Sequence, residues 1–96
     1  MAAYLIYHGQ VTDPEQYARY REKSTPAVIN AGGEFLVRGG EVELLEGELP
    51  HGRTVIARFP SLEAARAWYE GEAYREARSL REGAAVANLY IVDGID

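Results

Sequence analysis

No cysteine occurs in the chain, which removes at once a disulfide framework, a thiol nucleophile and any cysteine-based metal site. Histidine is almost as scarce. His8 and His51 stand alone, and neither neighbourhood supplies the carboxylates that a zinc site with so few imidazoles would need, so no metal and no cofactor is expected. Long apolar runs are missing as well. The longest are strand-length, and the N-terminal "MAAYLIYHG" carries neither a basic leader nor an adequate apolar core for cleavage, so the expectation is a soluble, cytoplasmic protein without a membrane partner. Basic residues number 10 against 15 acidic ones, for a net charge of −5, and they are scattered. A phosphate-backbone binder needs a basic patch, so nucleic acid is not an expected partner. Phosphate loops, dinucleotide fingerprints and nucleophile elbows are absent from the sequence too.

What is present suits one globular unit. With 96 residues, 47% hydrophobic and 26% charged, the chain can build about one core, so residues 1–96 are read as a single domain. "AYLIYH" reads as a first strand ended by Gly9. A helix then opens with Asp13 as cap and Pro14 at the first helical position, and Gly32–Gly33 stops it. Pro26 is expected to kink or split it near Lys23–Thr25. "RTVIARF" is a strand ended by Pro60, and "EGELPHG" before it is a turn-rich loop holding His51. Ser61 caps a second helix, Gly71 interrupts it, "EAYREARSLREG" resumes as a third piece, and "AVANLYIVDG" is the last strand.

Two strand–helix halves with antiparallel strands between them point to an α+β sandwich of ferredoxin-like type, its helices on one face of the sheet. Alternation assigns the faces. Leu5, Tyr7, Phe35, Val37, Val55, Ala57, Phe59, Leu89 and Ile91 share one parity and are apolar, which marks the helix-covered face. The opposite parity gives Tyr4, Ile6, His8, Leu36, Arg38, Ile56, Arg58, Asn88, Tyr90 and Val92. That face is too apolar for solvent and too polar for a sealed core. No further element is left to cover it, so a second copy of the chain is the expected cover.

The run "EFLVRGGEVELLE" adds a charged feature to this face. If Gly39–Gly40 form a two-residue hairpin loop, Arg38 faces Glu41, and the meander brings Glu41 near Arg58. A Gly-Gly bulge in one long bent strand is the alternative, and it sends Arg38 further along the strand. Both versions put Arg38, Glu41 and Arg58 on the open face. Such a trio is either an interface salt-bridge network or an acidic-ligand pocket in which Glu41 orients an arginine.

"VTDPEQY", "FLVRGGEVELLEG" and "FPSLEAARAWYEGEAYREARSLR", with their flanking strands, resemble over essentially the whole chain the family catalogued as domain of unknown function 1330, in the dimeric α/β-barrel group. Arg38, Gly39, Gly40, Trp68, Tyr69, Tyr74 and Arg81 fall on its pattern, while Arg58 and Gly71 depart from it. The resemblance implies a ferredoxin-like fold, a homodimer whose sheets face each other and one cleft per subunit, and it brings no established activity.

The candidate ligand-binding residues are therefore Arg38, Glu41, Arg58, Tyr69, Asn88 and Tyr90, with His8 and Glu41 as candidates for handling a proton. Trp68 and Tyr69 read as core and cleft wall, with the Tyr69 hydroxyl able to reach a ligand. Three function classes follow: a small-molecule cleft for an acidic ligand, with or without the activity of a cofactor-independent enzyme; a non-catalytic ligand sensor; and a structural dimer whose charged cluster is only an interface network. Whether any reaction is catalysed is left open, because no nucleophile and base can be paired from the sequence.

Overall fold

The computed structural model describes residues 1–49 and 52–95, so His51 and the rest of its turn with Pro50 lie outside the described residues. In chain order the elements are β1 (Ala3–Val11), α1 (Pro14–Asn30), β2 (Glu34–Arg38), β3 (Arg53–Phe59), α2 (Leu62–Glu70), α3 (Glu72–Arg81) and β4 (Ala85–Asp93). The strands form one antiparallel sheet in the order β2-β3-β1-β4. This is the ferredoxin-like α+β sandwich that the order of elements implied.

Local signals start the helices where expected. The Asp13 side chain accepts from the Gln16 N–H at 3.2 Å and Ser61 Oγ accepts from the Ala64 N–H at 3.0 Å, each satisfying a donor the helix cannot. Gly71, at φ −70° and ψ 160°, breaks the second helical stretch into α2 and α3. Pro26 does not split α1, which runs through it unbroken. Proline removes one intrahelical hydrogen bond, and Ala27 and Val28, both buried, anchor the turn that follows.

Odd positions of β1 and β3 face the helices. Ala3, Leu5, Tyr7, Ala57 and Phe59 are buried there, across a ladder that pairs Leu5 with Ala57 and Ala3 with Phe59. Trp68 packs on Phe59 and Tyr74 at ring separations of 5.5 and 4.3 Å. The other face of the sheet is bare. The molecule is only 16 Å thick along its short axis, enough for sheet and helices but no third layer. Val86, Tyr90 and Val92 are 58, 51 and 47% exposed on that side. No helix among the described residues is long and apolar enough to cross a membrane.

Neither of the two alternatives at Gly39–Gly40, hairpin loop or bulge in one long strand, forms. Residues 41–49 carry no strand, and β2 pairs with β3 itself. Gly39, at φ 75°, turns the chain away, and its N–H donates to the Thr54 carbonyl at 2.8 Å. A strand at 41–46 would lie outside β2, at the edge of the sheet, and Val42 and Leu44 are each 47% exposed there. A bulge does form, but at Leu36. Phe35 faces Ala57, then Val37 faces Ile56 and Arg38 faces Val55. One extra residue reverses the parity beyond it. Val37 moves to the open face and Arg38 to the helix face, each opposite to the simple alternation.

Candidate functional site

The reversal carries Arg38 into a cavity between α1 and the helix face of the sheet. It is lined by Tyr7, Tyr17, Tyr20, Arg21, Ser24, Phe35, Arg38, Arg53 and Trp68, among others. Its volume of about 40 Å³ is room for roughly three water-sized groups. Strand β2 delivers Arg38 and Phe35 to the same side because of the Leu36 bulge, and the guanidinium carbon lies 4.3 Å from the Phe35 ring centroid. An Arg38 amino group also donates to the Thr25 hydroxyl on α1.

Positive charge converges here without a counter-charge. Among the described residues, Arg21, Arg38 and Arg53 make no ion pair with a carboxylate. The pKa of Arg38 is pushed down, first by partial burial and then by the charges of Arg21 and Arg53. Binding an anion would relieve both effects. Arg53 is held against the backbone: a Cβ on Gly39 would sit 2.8 Å from its Nη2. Its buried Nε, like Trp68 Nε1 and Arg81 Nε, has no hydrogen-bond partner among the described residues, and such a donor costs about 1–3 kcal/mol while it stays unpaired.

Beside the arginines stands a tyrosine cluster. Tyr17 donates to the Tyr7 hydroxyl at 3.1 Å, and the Tyr20 and Tyr74 hydroxyls are 2.9 Å apart. The Arg81 guanidinium carbon lies 6.0 Å from the Tyr7 ring and 5.8 Å from that of Tyr20. Burial, above all, raises the pKa of Tyr7, Tyr20 and Tyr74, so these phenols are neutral hydrogen-bonding groups across the physiological range. The cavity thus offers cations and neutral hydroxyls, which is equipment for holding an anion.

The candidates named from sequence are dispersed. Only Arg38 lines this cavity. Arg58 sits on the open face with Glu34, not Glu41, opposite it on β2 and Tyr4 opposite it on β1. Glu41 is exposed in the loop after β2. Asn88 faces His8 across the β1–β4 ladder, and the His8 ring contacts the Thr54 hydroxyl at 3.2 Å and lies 6.4 Å from Tyr90. His8 is thus on the opposite face of the sheet from Arg38. Tyr69 joins Tyr90 in an apolar groove of about 150 Å³ beside α2, with the Arg78 guanidinium 4.7 Å from its ring. Arg53 was missed, although a signal existed: it shares the parity of Val55, Ala57 and Phe59, so an arginine at that position had to reach the helix side. Tyr7, Tyr17 and Tyr20 belong to the core, and their hydroxyl network was not legible.

The sequence model of the family described as a domain of unknown function, DUF1330, matches residues 2–95. Among curated proteins none matches. Solved structures do. A protein of unknown function from Rhodopseudomonas palustris is 24% identical at a TM-score of 0.75, over 99% of this chain and 83% of its own. SnoaB, a cofactor-independent oxygenase from Streptomyces nogalater, is 9% identical at 0.71, over 99% and 94%. A dimeric ferredoxin-like protein of unknown function from Thermobifida fusca is 20% identical at 0.59, over 96% and 92%. At these identities the likenesses speak to fold.

Proposed function

The chain belongs to the DUF1330 family, a membership that carries no activity with it, and we propose from the geometry that it is a homodimer binding a small, partly apolar carboxylate in the cavity under α1. Arg38 and Arg53 hold the carboxylate, Arg38 offering the planar fork that matches it. Phe35, Leu5 and Val55 supply the apolar wall. The observation that carries this reading is the convergence of three arginines on a largely apolar cavity with no carboxylate paired to them among the described residues. The same observation weighs against a purely structural salt-bridge role for Arg38, since its charged neighbours are Arg21 and Arg53.

The dimer forms through the open face, where Leu36, Val86, Tyr90 and Val92 are about half exposed and a second sheet would cover them. The related protein from Thermobifida fusca is described as dimeric, which agrees with that arrangement. No reaction is assigned. The fold is shared with an oxygenase, but function follows the site rather than the fold, and His8 lies on the face away from the arginines.

The test is a calorimetric and thermal-shift screen of short aliphatic and aryl carboxylic acids. A binder should raise the melting temperature by mass action, and Arg38→Ala should abolish the shift while the dimer persists in sedimentation. Binding that survives Arg38→Ala would place the site elsewhere.

A further inference from the structure

Resting on the homodimer proposed above, we infer that residues 41–46 of each copy add a fifth strand to the exposed edge of β4 in the other copy, so that backbone hydrogen bonds join the two sheets as well as apolar packing.

The two edges of the sheet are unequal. β2 is five residues long and carries Glu34 and Arg38, the short, charged kind of edge that resists a further strand. β4, at the other edge, runs for nine residues without a proline, and its only charge is the terminal Asp93. No strand lies outside it among the described residues. A long, apolar edge of this kind is a template for another chain. The sequence also holds an alternating segment without a template. "EVELLE" carries no strand and leaves Val42 and Leu44 47% exposed and Leu45 85% exposed.

A face-to-face dimer brings the two together. β2 is antiparallel to β3, β3 to β1 and β1 to β4, so β2 and β4 run in opposite directions. A two-fold axis between the sheets and along the strands sets β2 of one copy over β4 of the other and reverses neither. Chain continuing from β2 then meets that β4 antiparallel. An axis across the strands would set β2 over β2 and leave both β4 edges bare. Heights agree too, because rotation about an axis along the strands moves nothing along it. Arg38 is level with Val55, Val55 with Tyr7, and Tyr7 with Leu89, so beyond Arg38 the chain passes Asn88 toward Ala85. Packed sheets lie about 10 Å apart, a gap that about three extended residues span at about 3.3 Å each. Gly39, at φ 75°, already turns the chain out of its own ladder.

Charge favours the same placement. Between Arg38 and Arg53 stand Glu41, Glu43, Glu46 and Glu48 and no lysine or arginine. On the helix side of β4 a groove of about 230 Å³ is lined by Arg78, Arg81, Glu82, Ala85 and Ala87. The added strand sets Glu41 and Glu43, which share a parity, beside the two arginines. Val42 and Leu44 then point between the sheets, toward Val86 and Tyr90, which are 58 and 51% exposed. Pairing β4 with another β4 would instead bring two such basic grooves together.

Disulfide trapping tests the inference without interference, because the chain has no cysteine. Residues directly opposed on antiparallel strands lie within disulfide reach. Val42→Cys is combined with Asn88→Cys, Leu44→Cys with Val86→Cys, and, for a register shifted by two, Val42→Cys with Val86→Cys. After mild oxidation at least one pair should run mainly at twice the chain mass in non-reducing electrophoresis, while the single variants run as one chain. An intact dimer in sedimentation with no cross-link from any pair would overturn the added strand and leave the dimer standing. Cross-linking by Asn88→Cys or Val86→Cys alone would also overturn it, since β4 would then be paired with itself. Should the variants not fold, hydrogen exchange of the wild type decides: amides of residues 41–46 should be protected in the dimer, and exchange there at the rate of open chain would overturn the inference. A monomer at micromolar concentration removes the dimer reading and this inference with it.

Discussion

Raising the pH should unfold this protein through its tyrosines. Tyr7, Tyr20 and Tyr74 are 3, 7 and 0% exposed, and burial is the largest cause of their raised pKa values. In the unfolded chain each titrates near 10. Below about pH 10 both states hold these protons and the stability is fully present; above it the unfolded chain releases protons that the folded chain retains, so stability falls until the folded pKa values are passed. At about pH 11 Tyr7 and Tyr20 each contribute a loss of about 1.4 kcal/mol, about 3 kcal/mol together, and Tyr74 acts in the same direction. That is a large part of the 5–15 kcal/mol typical of a domain. The window is clean because Lys23 is the only lysine. Urea midpoints followed by circular dichroism at about pH 9 and about pH 11, at constant ionic strength, measure the loss. Tyr20→Phe should reduce it by about 1 kcal/mol. Equal stability at the two pH values, or tyrosinate absorbance from all 7 tyrosines rising together while the fold is intact, would refute the account of the cluster as buried and neutral.

Three further perturbations probe the frame around the cavity. Gly39→Ala forces a side chain into φ 75° and against the Arg53 guanidinium, so thermal melts should show a loss of about 1–2 kcal/mol together with weaker acid binding. Ile56→Glu puts a charge at the middle of the half-apolar open face and should give monomers in sedimentation over a micromolar dilution series; an intact dimer would move the interface elsewhere. Asp13→Ala removes the cap of α1, the helix that carries Tyr17 and Tyr20, and should cost about 1 kcal/mol in urea denaturation.

The elements and the faces of the long strands were legible because their signals are local. Asp13–Pro14, Ser61 and Gly71 each act within a turn of their own position, and the alternation in Ala3–Val11 and Arg53–Phe59 repeats every second residue without reference to any partner. Of the kink or split expected at Pro26, the split does not occur, and the buried Ala27 and Val28 follow it in the same helix. "EVELLE" alternates as well as any strand here, yet it forms none, since alternation states which residues would share a face and not whether a neighbour exists to pair with them.

The site depended on that missing information. Whether Arg38 reaches the helix side or the open side is decided by the bulge at Leu36, and the bulge exists only through the pairing of β2 with β3, residues about twenty positions away. The sequence by itself determined the element order, the caps, the helix-facing residues of β1 and β3, and the bare second face. The tertiary structure alone decided the register of a short edge strand, and with it the face of every residue beyond Leu36. A period of two carries no memory across an inserted residue, so one long-range pairing separated Arg38 from Arg58 and joined it to Arg53 and the tyrosines of α1.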